Sequence, residues 1–529
     1  MEKNNLPKCW EQISFEQIIA SIIGGDWGKP ISNKTSENYV QVNVIRSTEL
    51  QKWKKEKGKT AEQRIIKKTS MEKRKLNDGD IILEVSGGGT TFPVGRTVLI
   101  DKTVLSNFKN SVICSNFFRK ISFQKCVLPK FVDYFLNFKY LQGSTRKFRN
   151  QSVNIQNLKV DLYFSNLLIP IPPLNEQKRI VAKIEELFSI IDFSRKIIFI
   201  AKDRLNIFRE SLLQNAIIGQ ITMEWRKNNK IPVKNDLISE IKSEQVKHFA
   251  KLFENDSKNR RLPKYDDDFN SDDSPVLQIP EQWKMYRLGE IILHLTDYHS
   301  NASYESLRDN VTLLDVPDHA YMIRATNFVK NNFSTEMKYI SKKSYDFLLK
   351  SKIMGGEILI GKIGNAGSVY FMPTLNHPAS LAMNLFALRF PKQVNSKYVY
   401  YHLISLFSRQ NIKNYVKGVG NPTIDKKSIR SLWISFPPIE EQNVIVEELE
   451  KILTTIQKSV ENLDILLKQY ELLRLSILKH AFEGKLIPQD PNDEPAEILL
   501  QKIRQEKQMT IRQTEKPKKN KNNKSKFNE

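Results

Sequence analysis

The sequence has few cysteines and no long apolar run, and both absences argue against several protein classes. Only three of its 529 residues are cysteine (Cys9, Cys114 and Cys126), and no two of them form a C-x-x-C pair. Neither a disulfide framework nor a zinc ribbon is expected, and a reducing cytoplasm fits. No uncharged apolar run reaches about 18 residues, so no membrane-spanning helix is expected. The opening MEKNNLPKCW lacks the apolar segment of a signal peptide.

Acidic residues are outnumbered by basic ones. The chain has 59 Asp and Glu against 83 Lys and Arg, which gives a net charge of +24. Such an excess suits a polyanionic partner, either nucleic acid or an anionic membrane surface. The alternative is a lysine-rich surface that only keeps the protein in solution. A hydrophobic content of 40% over this length predicts several packed domains.

Signatures of catalysis and of metal binding are also missing. The seven histidines are scattered and show neither H-E-x-x-H nor Cys/His spacing, so no metal site is expected. The run SGGGTT at 86–91 has no following G-K-S/T, which favours a tight turn or a close backbone approach over a P-loop. The NPT at 421–423 lacks the second proline and the aromatic residue of an adenine-methyltransferase site.

One segment of the chain occurs twice. Residues 172–177 read PPLNEQ and residues 437–442 read PPIEEQ, and the shift of 265 positions also carries Gly219 onto Gly484. No gap is needed between these points. A duplicated structural unit follows from this agreement.

A heptad pattern of apolar residues follows each copy of the motif. Steps of three and four residues are typical of the a and d positions of a helix that packs on another helix. The first seam is Ile184, Leu187, Ile191, Ser194, Ile198, Ala201, Leu205, Phe208 and Leu212; the second is Leu449, Ile452, Ile456, Ser459, Leu463, Leu466, Tyr470, Leu473 and Ile477. Each helix is expected to begin after a Pro-Pro pair and to end near a glycine. The two helices are expected to pair; the alternative is that each only covers its own domain.

The regions before the two helices resemble each other more faintly and contain short β-rich runs. VIRSTEL at 44–50 matches MIRATNF at 322–328, which aligns Arg46 with Arg324. We therefore expect an α+β fold with two similar globular domains. The expected boundaries are a first domain at 1–171, a first helix with a satellite helix at 172–253, an acidic linker at 254–275, a second domain at 276–436, a second helix with its satellite at 437–507, and a basic tail at 508–529.

This arrangement resembles the specificity subunit of type I restriction–modification enzymes. The strongest elements are LLIPIPPLNEQKRIVAKIEELF at 167–188, WISFPPIEEQNVIVEELE at 433–450 and IPEQWKMYRLGEI at 279–291. GNPTIDKKSIRSLWISFPP at 420–438 resembles the end of that family's domains, and the first domain keeps the pattern more loosely.

The resemblance implies separate roles for the globular domains, the long helices and the partner subunits. Each globular domain would be a target-recognition domain for one half of a split, asymmetric site in double-stranded DNA. The helices would form an antiparallel coiled coil, giving an internal pseudo-two-fold repeat, and would dock two methyltransferase subunits, which restriction and motor subunits join. The chain itself would carry no catalytic residue and no cofactor or metal; S-adenosylmethionine, ATP and Mg²⁺ would belong to the partners.

Candidate DNA-binding residues are those that can grip phosphate or present donors and acceptors to base edges. Residues 46–75 hold twelve Lys and Arg against four Glu, a run that suits phosphate contacts, although it also suits a solvated surface. The candidates are Arg46, Lys52, Lys54, Arg64, Arg96, Arg146 and Arg149 in the first domain, and Arg324, Asn327, Lys330, Lys362, Lys417 and Asn421 in the second.

Two alternative functions remain open at this stage. Asp318, Glu336 and Lys338 loosely fit the pattern of a stand-alone Mg²⁺-dependent nuclease. The paired helices also fit a scaffold protein that does not bind nucleic acid. The first predicts DNA cleavage by the chain alone, and the second predicts no retention on DNA.

Overall fold

The structure is a computed structural model that describes residues 6–31, 37–87, 93–124, 127–152, 155–229, 237–252, 275, 277–502 and 504–505. The chain divides into two compact units: residues 1–198 with 465–529, and residues 199–464. Cys126, residues 88–91, the tail at 508–529 and nearly all of the expected linker lie outside the described residues.

In its described residues, the first unit has twelve strands in four small sheets. The strands are β1 (Glu11–Ser14), β2 (Ile19–Gly24), β3 (Tyr39–Ile45), β4 (Glu62–Lys67), β5 (Ile81–Glu84), β6 (Ser86–Gly87), β7 (Thr97–Leu99), β8 (Val112–Cys114), β9 (Phe118–Phe123), β10 (Arg149–Ser152), β11 (Ile155–Leu158) and β12 (Leu168–Ile171). The sheets have the orders β2-β9-β5-β7, β4-β3-β8, β10-β11-β6 and β1-β12. The strand β5 is buried along its whole length because it is an inner strand with three apolar side chains and a glutamate, Glu84, that pairs with Arg96.

Short helices cover these sheets, and a long helix follows them. The helices are α1 (Ser47–Gln51), α2 (Trp53–Glu56), α3 (Lys68–Arg74), α4 (Lys102–Leu105), α5 (Pro129–Leu141), α6 (Val160–Ser165) and α7 (Leu174–Ile217). Pro129 starts α5, and Phe131, Phe135 and Phe138 bury one face of that helix. Their rings lie 5.2–5.6 Å from the ring of Phe482, so the end of the second long helix is part of the core of this unit.

The second unit repeats this topology. Its strands are β13 (Lys284–Arg287), β14 (His294–Asp297), β15 (Ala320–Ile323), β16 (Lys338–Ile340), β17 (Lys352–Ile353), β18 (Ile358–Gly361), β19 (Val369–Phe371), β20 (Ala379–Leu381), β21 (Leu385–Arg389) and β22 (Trp433–Phe436). The sheets have the orders β14-β21-β18-β19, β16-β15-β20-β17 and β13-β22. The strand β15 runs parallel to β20, as β3 runs parallel to β8 in the first unit. The expected internal repeat and α+β fold are confirmed.

Helices that begin in the second unit include one expected satellite and the second long helix, whose residues from 465 onward belong to the first unit. They are α8 (Met223–Asn228), α9 (Leu237–Leu252), α10 (Leu288–Ile291), α11 (Tyr304–Asn310), α12 (Ala325–Val329), α13 (Lys342–Phe347), α14 (Ser396–Leu403), α15 (Leu406–Tyr415), α16 (Lys426–Arg430) and α17 (Ile439–Phe482). The satellite α9 packs on the second domain through buried Ile241, and Gln245 donates a hydrogen bond to the carbonyl of Ile292 at 2.6 Å. Residues 496–502 are also helical. None of the helices in the described part of the chain has the length and hydropathy that a membrane span needs.

Both long helices end in the same way. Gly219 and Gly484 follow them with φ angles of +72° and +70°, a region that favours glycine. The amide of Gln220 donates to the carbonyl of Asn215 at 2.8 Å, and that of Lys485 to the carbonyl of His480 at 2.8 Å. These bonds across five residues are Schellman caps, which satisfy carbonyls at the end of a helix.

Candidate nucleic-acid interface

The glutamate and glutamine of the repeated motif fasten the first domain to α7. The indole Nε1 of Trp10 donates to Glu176 at 3.0 Å in a buried contact. Gln177 accepts from the backbone amide of Leu128 at 3.0 Å and donates to the carbonyl of Pro172 at 3.1 Å. The motif therefore links the first strand region, the start of α5 and the turn before α7.

The second copy makes the same contacts 265 positions later. Trp283 Nε1 donates to Glu441 at 2.9 Å, while Gln442 accepts from the amide of Asn395 at 2.8 Å and donates to the carbonyl of Pro437 at 2.9 Å. The same hydrogen-bond pattern thus occurs at both copies of the motif. It explains why the motif occurs twice, because each copy positions one globular domain on one long helix.

The carboxylates of the two copies have different surroundings. Glu441 also accepts a hydrogen bond from Thr222 at 2.7 Å and forms a buried ion pair with Arg226. Glu176 has no such arginine; Arg179 pairs with Asp493 instead, at 2.6 Å. Burial raises the pKa of Glu176 above its usual value, with the bond from Trp10 opposing the shift. The carboxylate of the second copy is therefore paired with an arginine, whereas the carboxylate of the first copy accepts from Trp10.

The long helices run antiparallel to each other within each unit. In the first unit, Asp192 pairs with Arg474 and Arg195 with Glu471, so the numbers rise along α7 as they fall along α17. In the second unit, Lys202 pairs with Asp464 at 2.6 Å. The expected helix-on-helix packing is confirmed.

Most predicted seam residues are buried or partly buried, but three are not. The buried or partly buried seam residues are Ile184, Leu187, Ile191, Ile198, Leu205, Leu212, Leu449, Ile452, Ile456, Leu463, Tyr470 and Ile477. Phe208, Leu466 and Leu473 are 51%, 41% and 45% exposed. On α17 the inward face shifts by one residue, because Arg474 is buried with its guanidinium 4.5 Å from the centre of the Phe188 ring. The sequence analysis assigned Leu473 to the seam because it is apolar, whereas the neighbouring Arg474 is the buried residue.

Three basic candidates of the first domain are engaged inside the protein. Arg46 lies at the N-cap position of α1, where its backbone amide donates to Glu49 at 2.6 Å, and its guanidinium pairs with Glu49 at 2.8 Å and with Glu62 at 3.2 Å. Arg96 pairs with the fully buried carboxylate of Glu84 at 2.6 Å. Arg64 stacks over the ring of Trp27 at 4.2 Å. The guanidinium groups of these three residues contact other parts of the protein, and their contact with DNA stays a prediction.

The other candidates of the first domain lie nearer to solvent. Lys52, Lys54 and Arg146 are exposed, and Lys52 makes only a 3.8 Å contact with Glu56. Arg149 is partly buried and donates to the hydroxyl of Thr145. The exposed cations remain candidates for phosphate contacts.

In the second domain, Arg324 and Asn327 form part of a local cap. Arg324 precedes α12 and donates to the carbonyl of Glu336 at 3.0 Å, and its backbone amide donates to the side chain of Asn327 at 2.9 Å. Asn327 is only 4% exposed. Lys330 pairs with Glu336 at 2.5 Å on the surface. The alignment of Arg46 with Arg324 therefore marks a shared capping position.

Lys362 differs from Lys417 and Asn421 in its surroundings. Lys362 and Lys426 both contact Asp297, at 2.7 and 2.8 Å. Burial opposes ionisation of Asp297, but the hydrogen bonds from both lysines outweigh it and lower the pKa to about 2. Lys417 and Asn421 are exposed on a loop close to this cluster, where Lys362, Lys417 and Asp425 line a shallow cavity of about 230 Å³.

The residues of the nuclease hypothesis have separate partners. Glu336 pairs with Lys330, Lys338 pairs with Asp315, and the carboxylate of Asp318 accepts from the amide of His319 at 2.6 Å. Within the described ranges there is no group of three or more His, Cys, Asp or Glu side chains placed to hold a metal. The arrangement gives the nuclease hypothesis no support.

Sequence analysis missed two surface features. The long helices expose apolar side chains, among them Phe193 at 66%, Ile207 at 69% and Leu472 at 67%. Val419 on the loop between Lys417 and Thr423 is also fully exposed, at 105%. The helix residues could have been found as a second apolar stripe outside the a and d positions; nothing in the sequence marks Val419.

Comparison with known proteins agrees with this architecture. The family described as type I restriction modification DNA specificity domain matches residues 7–199 and again residues 280–465. The chain is 22% identical over 528 residues to the StySPI specificity subunit of Salmonella potsdam, covering 96% of this chain and 97% of that protein. It is 23% identical over 526 residues to the EcoKI specificity subunit of Escherichia coli (strain K12), with coverage of 96% and 97%.

Two solved structures share the fold. The HsdS subunit from Thermoanaerobacter tengcongensis superposes with a TM-score of 0.51 at 19% identity, covering 92% of this chain and 99% of that one. A chain from a structure that concerns complex assembly and conformational transition of the type I R-M system gives 0.59 at 17% identity, covering 91% and 99%. Since the family match includes both copies of the repeat, the chain belongs to the DNA specificity subunits of type I restriction–modification systems.

Proposed function

We propose that each globular domain binds one half of a split, asymmetric DNA site and that the paired helices set the gap between the halves. The observation that carries this proposal is the duplicated anchor, in which Glu176 and Gln177 are matched by Glu441 and Gln442. Matching anchors beneath domains that differ in sequence suit a protein that presents two unlike binding surfaces. Because the domains differ in sequence, their half-sites differ as well.

The exposed cations are proposed to contact the DNA backbone. Lys52, Lys54, Arg146 and Lys417 are exposed, and the chain carries a net charge of +24. Phosphate contacts of this kind release counterions, so affinity falls steeply with salt. Arg46, Arg96 and Lys362 are proposed to act indirectly, by holding the loops that carry the contacting residues.

The exposed apolar side chains of the helices are proposed to dock two methyltransferase subunits, which restriction and motor subunits then join. On α7 the exposed residues Phe193, Ile197, Ile200 and Ile207 follow helical spacing, and Leu472 and Leu473 are exposed on α17. Exposed apolar stripes of this kind mark interaction sites. S-adenosylmethionine, ATP and Mg²⁺ would be bound by those partners in the cytoplasm, and methyl transfer to adenine would take place there.

The proposal is tested with the chain purified together with its methyltransferase partner. Methylation-aware sequencing of the host genome supplies the split site, and duplexes with either half scrambled are compared at several salt concentrations. We expect binding at least about 1,000-fold tighter to the intact site than to the doubly scrambled duplex. Affinity that ignores scrambling of both halves would contradict the proposal, and a chain that does not bind DNA at all would favour the scaffold hypothesis.

A matched pair of substitutions on α7 separates pairing of the helices from docking. Ile207→Ser changes an exposed residue, so it should leave stability unchanged within about 0.5 kcal/mol while weakening methyltransferase binding about tenfold. Leu205→Ser changes a partly buried seam residue and should lower the free energy of unfolding by about 1–2 kcal/mol. Urea unfolding and titration with the methyltransferase subunit measure the two effects. Equal stability losses would refute this assignment of faces.

A further inference from the structure

A short hairpin in the second domain presents an apolar side chain at its tip. The amide of Lys417 donates to the carbonyl of Thr423 at 2.9 Å, and the amide of Thr423 donates back at 2.8 Å. Between them Gly418 has a φ of +92°, and a Cβ there would lie 3.0 Å from the carbonyl oxygen of Asn421. Only glycine suits this tight turn, which leaves Val419 fully exposed, at 105%.

The base of the hairpin is fastened to the domain. The carbonyl of Pro422 accepts from the amide of Gly364 at 3.0 Å, and the amide of Ile424 donates to the carbonyl of Lys362 at 3.1 Å. Asp425 follows directly and caps α16 by accepting from the amide of Ser428 at 2.7 Å. These bonds hold the base of the hairpin at a defined position on the domain.

The side chains around Val419 suit a nucleic-acid surface. Lys417 and Asn421 are exposed on the two arms of the hairpin. A Cβ on Gly420 would meet nothing within 4 Å, so the tip is slender. A fully exposed valine between a cation and an amide is a poor solubilising surface but a suitable group for a base edge that carries a methyl group.

The first domain has a hairpin at the matching place. Strands β10 and β11 pair antiparallel from Arg149 with Leu158 to Ser152 with Ile155, shortly before the last strand of that domain. The two residues between these strands in the sequence, 153 and 154, lie outside the described residues. In both domains, therefore, an antiparallel pairing precedes the last strand, with four residue pairs in the first domain and a single bridge between Lys417 and Thr423 in the second.

We propose that the hairpin 417–423 enters the major groove and that Val419 contacts the 5-methyl group of a thymine, with Asn421 facing the adjoining adenine edge. The inference rests on the proposed function. The major groove admits a two-stranded β-ribbon, apolar side chains contact the thymine methyl, and asparagine pairs with adenine. Lys417 then lies where it can meet a backbone phosphate. Val419 is thus a specificity-determining residue for the half-site of the second domain.

The test uses the complex with its methyltransferase partner and the split site found in the host genome. Each thymine of the half-site assigned to the second domain is replaced singly by deoxyuridine, which removes only the methyl group. For the unchanged protein, one replacement should weaken binding about fivefold to tenfold. The Val419→Ser protein should bind the thymine duplex more weakly by a similar factor. Replacing the same thymine by deoxyuridine should then cause no further loss of affinity for this variant. Val316→Ser, at another exposed valine of this domain (65% exposed), is the matched control and should behave as the unchanged protein.

Several outcomes would overturn the inference. These are a half-site without thymine on either strand, a Val419→Ser protein that binds as well as the unchanged one, or a loss that is the same at every deoxyuridine position. If the unchanged complex shows no preference for the split site, the proposed function fails, and the inference fails with it. If that preference is intact but Val419→Ser leaves the deoxyuridine profile unaltered, only the inference fails.

Discussion

Inserting one heptad into each long helix, after Ala201 and after Leu466, should lengthen the preferred gap between half-sites by about 3 bp. Seven helical residues add about 10.5 Å, and base pairs are spaced about 3.4 Å apart. A heptad keeps the same faces of α7 and α17 in contact, so ion pairs such as Asp192 with Arg474 can form again. Because three added base pairs also rotate the duplex by roughly a third of a turn, we expect lower affinity on the new site than the unchanged protein has on its own.

The measurement compares a series of duplexes whose gaps differ by single base pairs. A heptad inserted into α7 alone is the control, and it should impair pairing of the helices without defining a new optimum. An unchanged optimal gap in an active double-insertion variant would show that the helices do not set the distance.

Glu441→Ala should destabilise the second unit by about 3–5 kcal/mol. The substitution leaves Arg226 partly buried without its carboxylate, and removing one partner of a buried ion pair costs this much. It also removes the acceptor of Trp283 and of Thr222. Glu441→Gln keeps only one of the two acceptor oxygens that Trp283 and Thr222 use, and it should fall between Glu441→Ala and the unchanged protein.

The internal repeat supplies the matched control for this prediction. Glu176→Ala removes the acceptor of Trp10, but no arginine is stranded, since Arg179 pairs with Asp493. Burial already raises the pKa of Glu176, so its loss should cost only about 1–3 kcal/mol. Urea unfolding gives the magnitudes, and hydrogen exchange shows which unit loosens. Equal losses for the two alanine variants would contradict the different roles assigned to these carboxylates.

The parts of the fold that the sequence predicted are those that repeat or are periodic. The motif with Pro172 and its copy at Pro437 gave the starts of both long helices, and Gly219 and Gly484 gave their ends. Such signals are local, because proline and glycine act through their own backbone angles. The order of strands within the sheets has no such local signal, since it depends on pairing between distant segments.

The candidate site was harder to predict because charge alone does not say which cations are already neutralised. From the sequence alone, Arg96 and Lys362 are as good candidates for DNA contacts as Arg146 and Lys417. In the folded protein Arg96 forms an ion pair with Glu84, and Lys362 forms one with Asp297. Arg146 and Lys417 are exposed to solvent. Where a cation's partner lies far along the chain, as Asp297 does from Lys362, only the tertiary structure brings the two together.

By itself, the sequence determined the duplication, the two heptad helices and the family to which they belong, because these depend on spacing along one chain. The tertiary structure decided which face of α17 is buried, where Arg474 displaces the expected Leu473 from the seam. It also decided which cations remain exposed and that Val419 lies at the tip of a hairpin. These outcomes depend on close contacts between distant segments, and no pattern along the chain records them.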